Sequence, residues 1–203
     1  MGVRIAYYIN DSGKKLVDLI IKDYPFFREN YLNLNSESVE TQKMALGDEN
    51  LIRFLEQNDK IDDLDRFSDQ IVNEIVQEYF LSSIDNLIKF NSTFDIIGPC
   101  LNKINYTGSS LLINQTNNDQ LIKLWNYLIF GRSIKDGATS TSFSNDISLG
   151  FLSAEEQREL VQLLEVNFNI NKSGFDLTGI ILVLDVLKEM NEHSTELIST
   201  VDL

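Results

Sequence analysis

This chain of 203 residues has one cysteine, one histidine and two prolines, and each scarcity excludes something. With Cys100 alone, no disulfide can close within the chain. One Cys and one His cannot assemble a zinc site of the usual nitrogen–sulfur type. A catalytic histidine needs a nucleophile and an orienting partner. His193 instead sits beside Glu192 at a predicted helix end, where a cation complements the dipole. Two prolines and ten glycines are too few for long disordered linkers. Basic residues are scarce as well: 17 Lys and Arg face 31 Asp and Glu, a net charge of −14. Such a surface repels nucleic acid and anionic membranes. It favours fast association with a basic partner, or simply keeps the protein soluble.

Long apolar runs are missing too. Nothing approaches the ~20 residues that cross a bilayer, and the stretch Ile180 to Leu187 is short and carries Asp185. Residues Met1 to Asn10 show no basic start, apolar run and small-residue cleavage site. The expectation is a cytoplasmic protein. There is no Gly-x-Ser-x-Gly elbow, phosphate loop, dinucleotide fingerprint or calcium loop. No catalytic residue, metal ligand or cofactor is therefore assigned. Cys100, after Pro99 on a predicted apolar helix, reads as a small buried hydrophobe.

What is present is periodic. Val3, Ile5, Tyr7 and Ile9 alternate as in a strand. A helix follows, capped by Asp11 or Ser12, with Leu16, Val17, Ile20, Ile21 and Tyr24 inward, ended by Pro25. Phe26 to Asn35 reads as irregular. Ser36 to Leu46 is a predicted short helix, stopped by Gly47. Asp48 caps the next one, with Leu51, Ile52 and Leu55 inward. A long helical run is expected from Ile61 to Phe90, broken at most at Ser82-Ser83. Ser92 is placed as the cap of a helix over Thr93 to Ile104, and Asn105 to Thr116 as polar turns.

Asn118 to Gly131 is the best-defined stretch. Asn118 is a good N-cap, Asp119 favours the first turn, and Leu121, Ile122, Trp125, Leu128 and Ile129 form one apolar face ending at Gly131. Trp125 reads as core. Arg132 to Gly150 is rich in hydroxyls and aperiodic, a loop with one short strand near Ser140 to Phe143. Ser153 and Glu156 have capping-box spacing before a helix to Phe168. After a loop at Asn169 to Gly174, Asp176 or Thr178 opens the last helix, and Thr195 to Val201 is a closing strand expected to pair with the first.

Three of these pieces resemble the YfbM-like family, small bacterial proteins classed as a domain of unknown function. Met1-Gly2-Val3-Arg4-Ile5-Ala6-Tyr7-Tyr8 is similar to its Met-Gly opening strand. Trp125 to Gly131 resembles its Trp-x-x-Leu-His helix. Phe151-Leu152-Ser153-Ala154-Glu155-Glu156 resembles its Leu-Ser/Thr-Pro-Glu-Glu helix start. The likeness covers roughly residues 1–25 and 118 onward, and residues 36–116 look like a helical insertion. The family's His falls on Ile129, and the acids just before its Trp are replaced by Leu121 and Ile122, so chemistry resting on that His is not expected. The resemblance implies an α+β fold with a small sheet and no established activity.

The fold class expected is α+β: a helix-rich single domain over residues 1–203, with a small, mainly antiparallel sheet pairing the terminal strands. The function expected is non-enzymatic protein binding, in its sharper form an immunity protein that docks an acidic surface on a basic toxin. The partner-binding candidates are Asp59, Asp62, Asp63, Asp65, Asp69, Glu74 and Glu78 on the outer face of the Ile61 to Phe90 run. Such a charge run is also what any solvated helix face looks like. The alternative is a small-ligand site or enzyme using Thr139, Ser140, Thr141, Ser142 and Ser144 in the hydroxyl-rich loop.

Overall fold

The computed structural model describes residues 4–10, 12–41, 49–132, 147–168, 177–193 and 196–202. It is α+β, with helices and a small antiparallel sheet that includes the first and last strands. The contacts group it into two compact units. One uses the start of the chain and residues from 94 onward; the other uses residues 14–93. The stretch read as an insertion, 36–116, contributes to both.

In the sheet-bearing unit, β1 (Arg4–Asn10) is the central strand. It pairs antiparallel with β5 (Leu197–Asp202) on one side, and with the short β2 (Phe94–Ile96) and β3 (Leu101–Asn102) on the other. The fourth strand along, β4 (Ile147–Leu152), pairs with β5, giving the order β2-β1-β5-β4. Ile5, Ala6, Tyr7 and Tyr8 are all buried, and since successive side chains point to opposite faces, both faces of this strand are covered. Four helices belong to this unit: α4 (Lys103–Gln115), α5 (Asp119–Ile129), α6 (Ala154–Asn167) and α7 (Thr178–His193). They join the sheet in one core that includes Ile5, Tyr7, Trp125, Leu128, Leu160, Leu187 and Val201.

Helix α5 forms as its sequence dictates. The Asn118 side chain accepts from the Leu121 backbone N–H at 3.1 Å, and Gly131 takes a φ of +86° just past the end. Trp125 is buried and donates its indole N–H to Ser110 Oγ at 2.8 Å. Helix α6 opens with the expected capping box. The β4–α5 seam is unusually close. A methyl group on Gly150 would fall well inside the Tyr127 carbonyl oxygen and 2.5 Å from Ser199 Oγ, which donates to the Leu128 carbonyl at 2.9 Å. Arg132 fastens the end of α5. Its guanidinium lies over the rings of Tyr127 and Phe151, 4.4 and 4.7 Å from their centres, and donates to both Glu156 carboxylate oxygens at 2.8 and 2.7 Å.

Two stretches of this unit differ from the sequence reading. Residues 93–104 are not one helix. Gly98 takes a φ of +63° and Pro99 follows it, so the chain runs instead as β2, a tight turn and β3, and Asn102 caps α4 by accepting from Asn105 N–H at 2.9 Å. Residues 105–115 are not turns but helix, with Thr116 as its C-terminal cap. Their small residues serve packing: Ser109 is fully buried, and a methyl on Gly179 of α7 would lie 2.6 Å from the Asn105 carbonyl. Strand β4 occupies part of the expected 132–150 loop. The strand expected near Ser140 to Phe143 lies outside the described residues.

The second unit holds α1 (Leu16–Thr41), α2 (Glu49–Gln57) and α3 (Asp69–Ile84). Pro25 does not end α1. The helix continues for sixteen further residues, because the inward stripe Leu16, Ile20, Tyr24, Phe27 and Tyr31 keeps helical spacing through the proline. Pro25 itself faces solvent. The rings of Phe27 and Tyr79 meet edge-on at 5.8 Å, and Tyr79 donates its hydroxyl to Asp23 Oδ2 at 3.0 Å. Arg28 of α1 donates to the carbonyls of Leu55 and Glu56, placing a cation at the C-terminal end of α2. The expected 61–90 helix is shorter: Ser68 caps α3, and after Ile84 the chain turns at Asn86, whose φ is +55°. The caps proposed at Asp11, Asp48 and Asp176, the stop at Gly47 and the 169–174 loop lie outside the described residues.

Candidate functional site

Between α2 and α3 the chain runs through residues 58–68 with a period of three. Ile61 and Leu64 are buried, and Phe67 stacks edge-on against Phe54 at 4.9 Å. Leu64 to Arg66 is one turn of 3-10 helix, which places every third residue on the same side. The residues between these anchors are turned outward, and most are acids. Asp59, Asp62, Asp65 and Asp69 are exposed, and Asp63 is half-buried. Over 59–69 five carboxylates face two bases, Lys60 and Arg66, a local net charge of 2 − 5 = −3.

Some of these acids also have local structural work. Asp63 caps the 3-10 turn, accepting from Asp65 N–H at 2.8 Å. Arg66 contacts Asp62 at 3.0 Å and Asp63 at 3.7 Å. Those pairs are well exposed to water, so they add little to stability. Asp59, Asp65 and Asp69 carry charge into solvent from a backbone pinned at Ile61, Leu64 and Phe67.

Glu74 and Glu78 depart from the expected face. Both are half-buried on α3. Glu74 accepts from Gln70 Nε2 at 2.9 Å, and Glu78 accepts from the Tyr31 hydroxyl at 3.2 Å. Burial pushes the Glu78 carboxyl above its usual range, with the Tyr31 hydrogen bond opposing and Glu74 reinforcing. The Tyr31 phenol is raised in turn, by burial first and then by Glu78. Tyr24, beside the same segment, is pushed up to about 12, mainly by burial, with Arg28 lowering it and Asp59 raising it. The structure thus divides the seven predicted acids. Five stand on the 59–69 segment, and two turn into the packing of α3.

The alternative site cannot be placed: Thr139, Ser140, Thr141, Ser142 and Ser144 lie outside the described residues, as does the His193 side chain. Cys100 is half-exposed in the turn before β3, not on an apolar helix, and Arg4 Nη2 donates to its sulfur at 3.2 Å. Among the described residues, no three His, Cys, Asp or Glu side chains are placed to hold a metal ion. Nor is any helix among them long and apolar enough to cross a membrane. The period-three anchoring of 61, 64 and 67 was visible in the sequence, but it runs into the α3 stripe and reads there as a continuous helix. The roles of Arg132 and Gly150 had no comparable local signal, since both depend on contacts between distant segments.

No family model, no curated protein and no solved structure matches this chain.

Proposed function

We propose that this protein is a non-enzymatic cytoplasmic binding module that docks the acidic 59–69 segment on a basic protein, and that the partner is a toxin it neutralises. The observation behind this reading is the presentation of exposed carboxylates between buried anchors. A charged surface held by a fixed backbone loses little entropy on binding and steers a cationic partner by its field. Covering a basic active site is then enough to inhibit it. The YfbM-like relationship is part of the proposal. Its support is that the three resembling stretches become β1, the Trp125 helix and the capping box of α6, all within one unit.

The test is co-purification with the product of the neighbouring gene, followed by relief of that protein's toxicity. A quadruple Asn variant at Asp59, Asp62, Asp65 and Asp69 should slow association by roughly tenfold or more at low salt, and added salt should erase the difference. If no protein partner binds, or if the variant associates at the parent rate, the reading fails.

A further inference from the structure

The three-helix unit contains a cavity of about 250 Å³, lined by Lys22, Asp23, Pro25 and Phe26 of α1 and by Lys89, Phe90 and Asn91 after α3. Lys22 and Phe26 are four residues apart on α1, so they project from the same side of that helix. The opposite wall is fixed by the turn at Asn86 and by a bond from Ile88 N–H to the Ser82 carbonyl at 3.0 Å. Phe90 is held in place by Tyr79, with ring centres 4.4 Å apart, and meets Phe26 edge-on at 5.9 Å. Phe26 nevertheless keeps 47% of its surface exposed, high for a large apolar ring.

The polar groups around these rings are not equivalent. Asp23 is already engaged on both oxygens: Oδ2 accepts from Tyr79, and Oδ1 lies 3.6 Å from Lys22 Nζ. The Lys89 ammonium, by contrast, pairs with no carboxylate among the described residues, and Asn91, two residues on, lines the same cavity. With Lys22 set against Asp23, the cavity wall keeps one excess positive charge, that of Lys89, in a protein whose net charge is −14. Ligand pockets usually hold roughly 300–1,000 Å³, so a nucleotide-sized occupant does not suit this one.

We propose that this cavity binds a small monoanion with a flat apolar body, an aromatic carboxylate. The ring covers the exposed side of Phe26 and Phe90, and the carboxylate meets Lys89 and Asn91. This site is independent of the toxin-binding reading and uses none of the acids of the 59–69 segment.

Ligand-observed saturation-transfer NMR on the full chain tests it, with benzoate as the probe and with benzyl alcohol and acetate as the neutral and ringless controls. Benzoate is expected to bind, and both controls to bind about tenfold more weakly or not at all. Lys89→Gln should weaken benzoate by about tenfold, the loss expected of one charge-assisted hydrogen bond, and leave benzyl alcohol unchanged. Phe26→Ala should weaken both ring-bearing probes. Both positions are exposed, and an unchanged thermal melt shows that each variant folds. The proposal is overturned if benzoate at millimolar concentration gives no transfer. It is equally overturned if the Lys89→Gln protein binds benzoate as the parent does.

Discussion

Replacing Gly150 with alanine tests the β4–α5 seam directly. The added methyl would fall well inside the Tyr127 carbonyl oxygen and 2.5 Å from Ser199 Oγ. The first obstacle is main chain, so no rotamer change relieves it; α5 and β4 must separate. Overpacking a close-packed site costs typically about 1–3 kcal/mol. Separation also stretches the buried bond from Ser199 to the Leu128 carbonyl, worth about 1 kcal/mol. The expected loss is about 3 kcal/mol, and with an m-value near 2 kcal/mol/M the urea midpoint falls by roughly 1–2 M. Trp125, the only tryptophan, is buried in α5 and reports the transition by its fluorescence. Ser199→Ala is the control. It removes the hydrogen bond without the clash and should cost only about 1 kcal/mol. Adding it to Gly150→Ala relieves the contact with Ser199 but not the one with Tyr127, so the double variant stays destabilised. A Gly150→Ala protein within about 1 kcal/mol of the parent, smaller than any usual overpacking cost, would refute the seam as described.

Three further outcomes are expected. Glu78→Gln should raise stability at pH 7 and flatten its pH dependence. The folded-state carboxyl is raised, so its contribution is fully present below the ordinary value of 4.5 and is lost as pH rises through the folded value. Urea titrations followed by circular dichroism at pH 5 and pH 7 measure this, and a variant whose difference from the parent is equal at the two pH values contradicts it. Arg132→Ala should cost about 1–3 kcal/mol, since it removes a charge-assisted pair and two ring contacts, and a double-mutant cycle with Glu156→Gln should show coupling between the two. Pro25→Ala restores the N–H that α1 lacks at an exposed interior position, so stability should rise by up to about 2 kcal/mol after the entropy gained by the unfolded chain, read as a higher melting temperature by circular dichroism; a lower one would show that the proline is needed.

The parts of the fold legible in the sequence were those governed by neighbours along the chain. Asn118, Gly131 and the Ser153–Glu156 box define α5 and α6 through bonds spanning three or four residues. Alternation at both chain ends marked β1 and β5. The misread parts share a different cause. The residues of α4 around Gly108-Ser109-Ser110 resemble a turn, yet they are small because α7 crosses close to them at Gly179. Pro25 outweighed the Tyr24, Phe27, Tyr31 stripe in a local reading, although packing of that stripe decides the helix. The acids of the candidate site were identifiable by type, but only the period of their apolar anchors separates the exposed 59–69 set from Glu74 and Glu78.

The pairing of β1 with β5 has a consequence for how the protein is made. The central strand of the sheet leaves the ribosome well before its ladder partner at residues 197–202, with most of the described chain between them. At about 5–20 residues per second the wait is on the order of 10–40 s. During it β1 has, of its partners among the described residues, the short β2 and β3 to pair with, and its apolar residues lack the flank that β5 covers. Closing a loop of that length also makes the final step slow, because such distant contacts bring no stability until the ends meet. The helical unit, whose described residues all lie within 14–93, has no such delay and can form while the rest of the chain is still being synthesised. Chaperone dependence should therefore follow the sheet: deleting β5 should leave a chain that is captured co-translationally through β1.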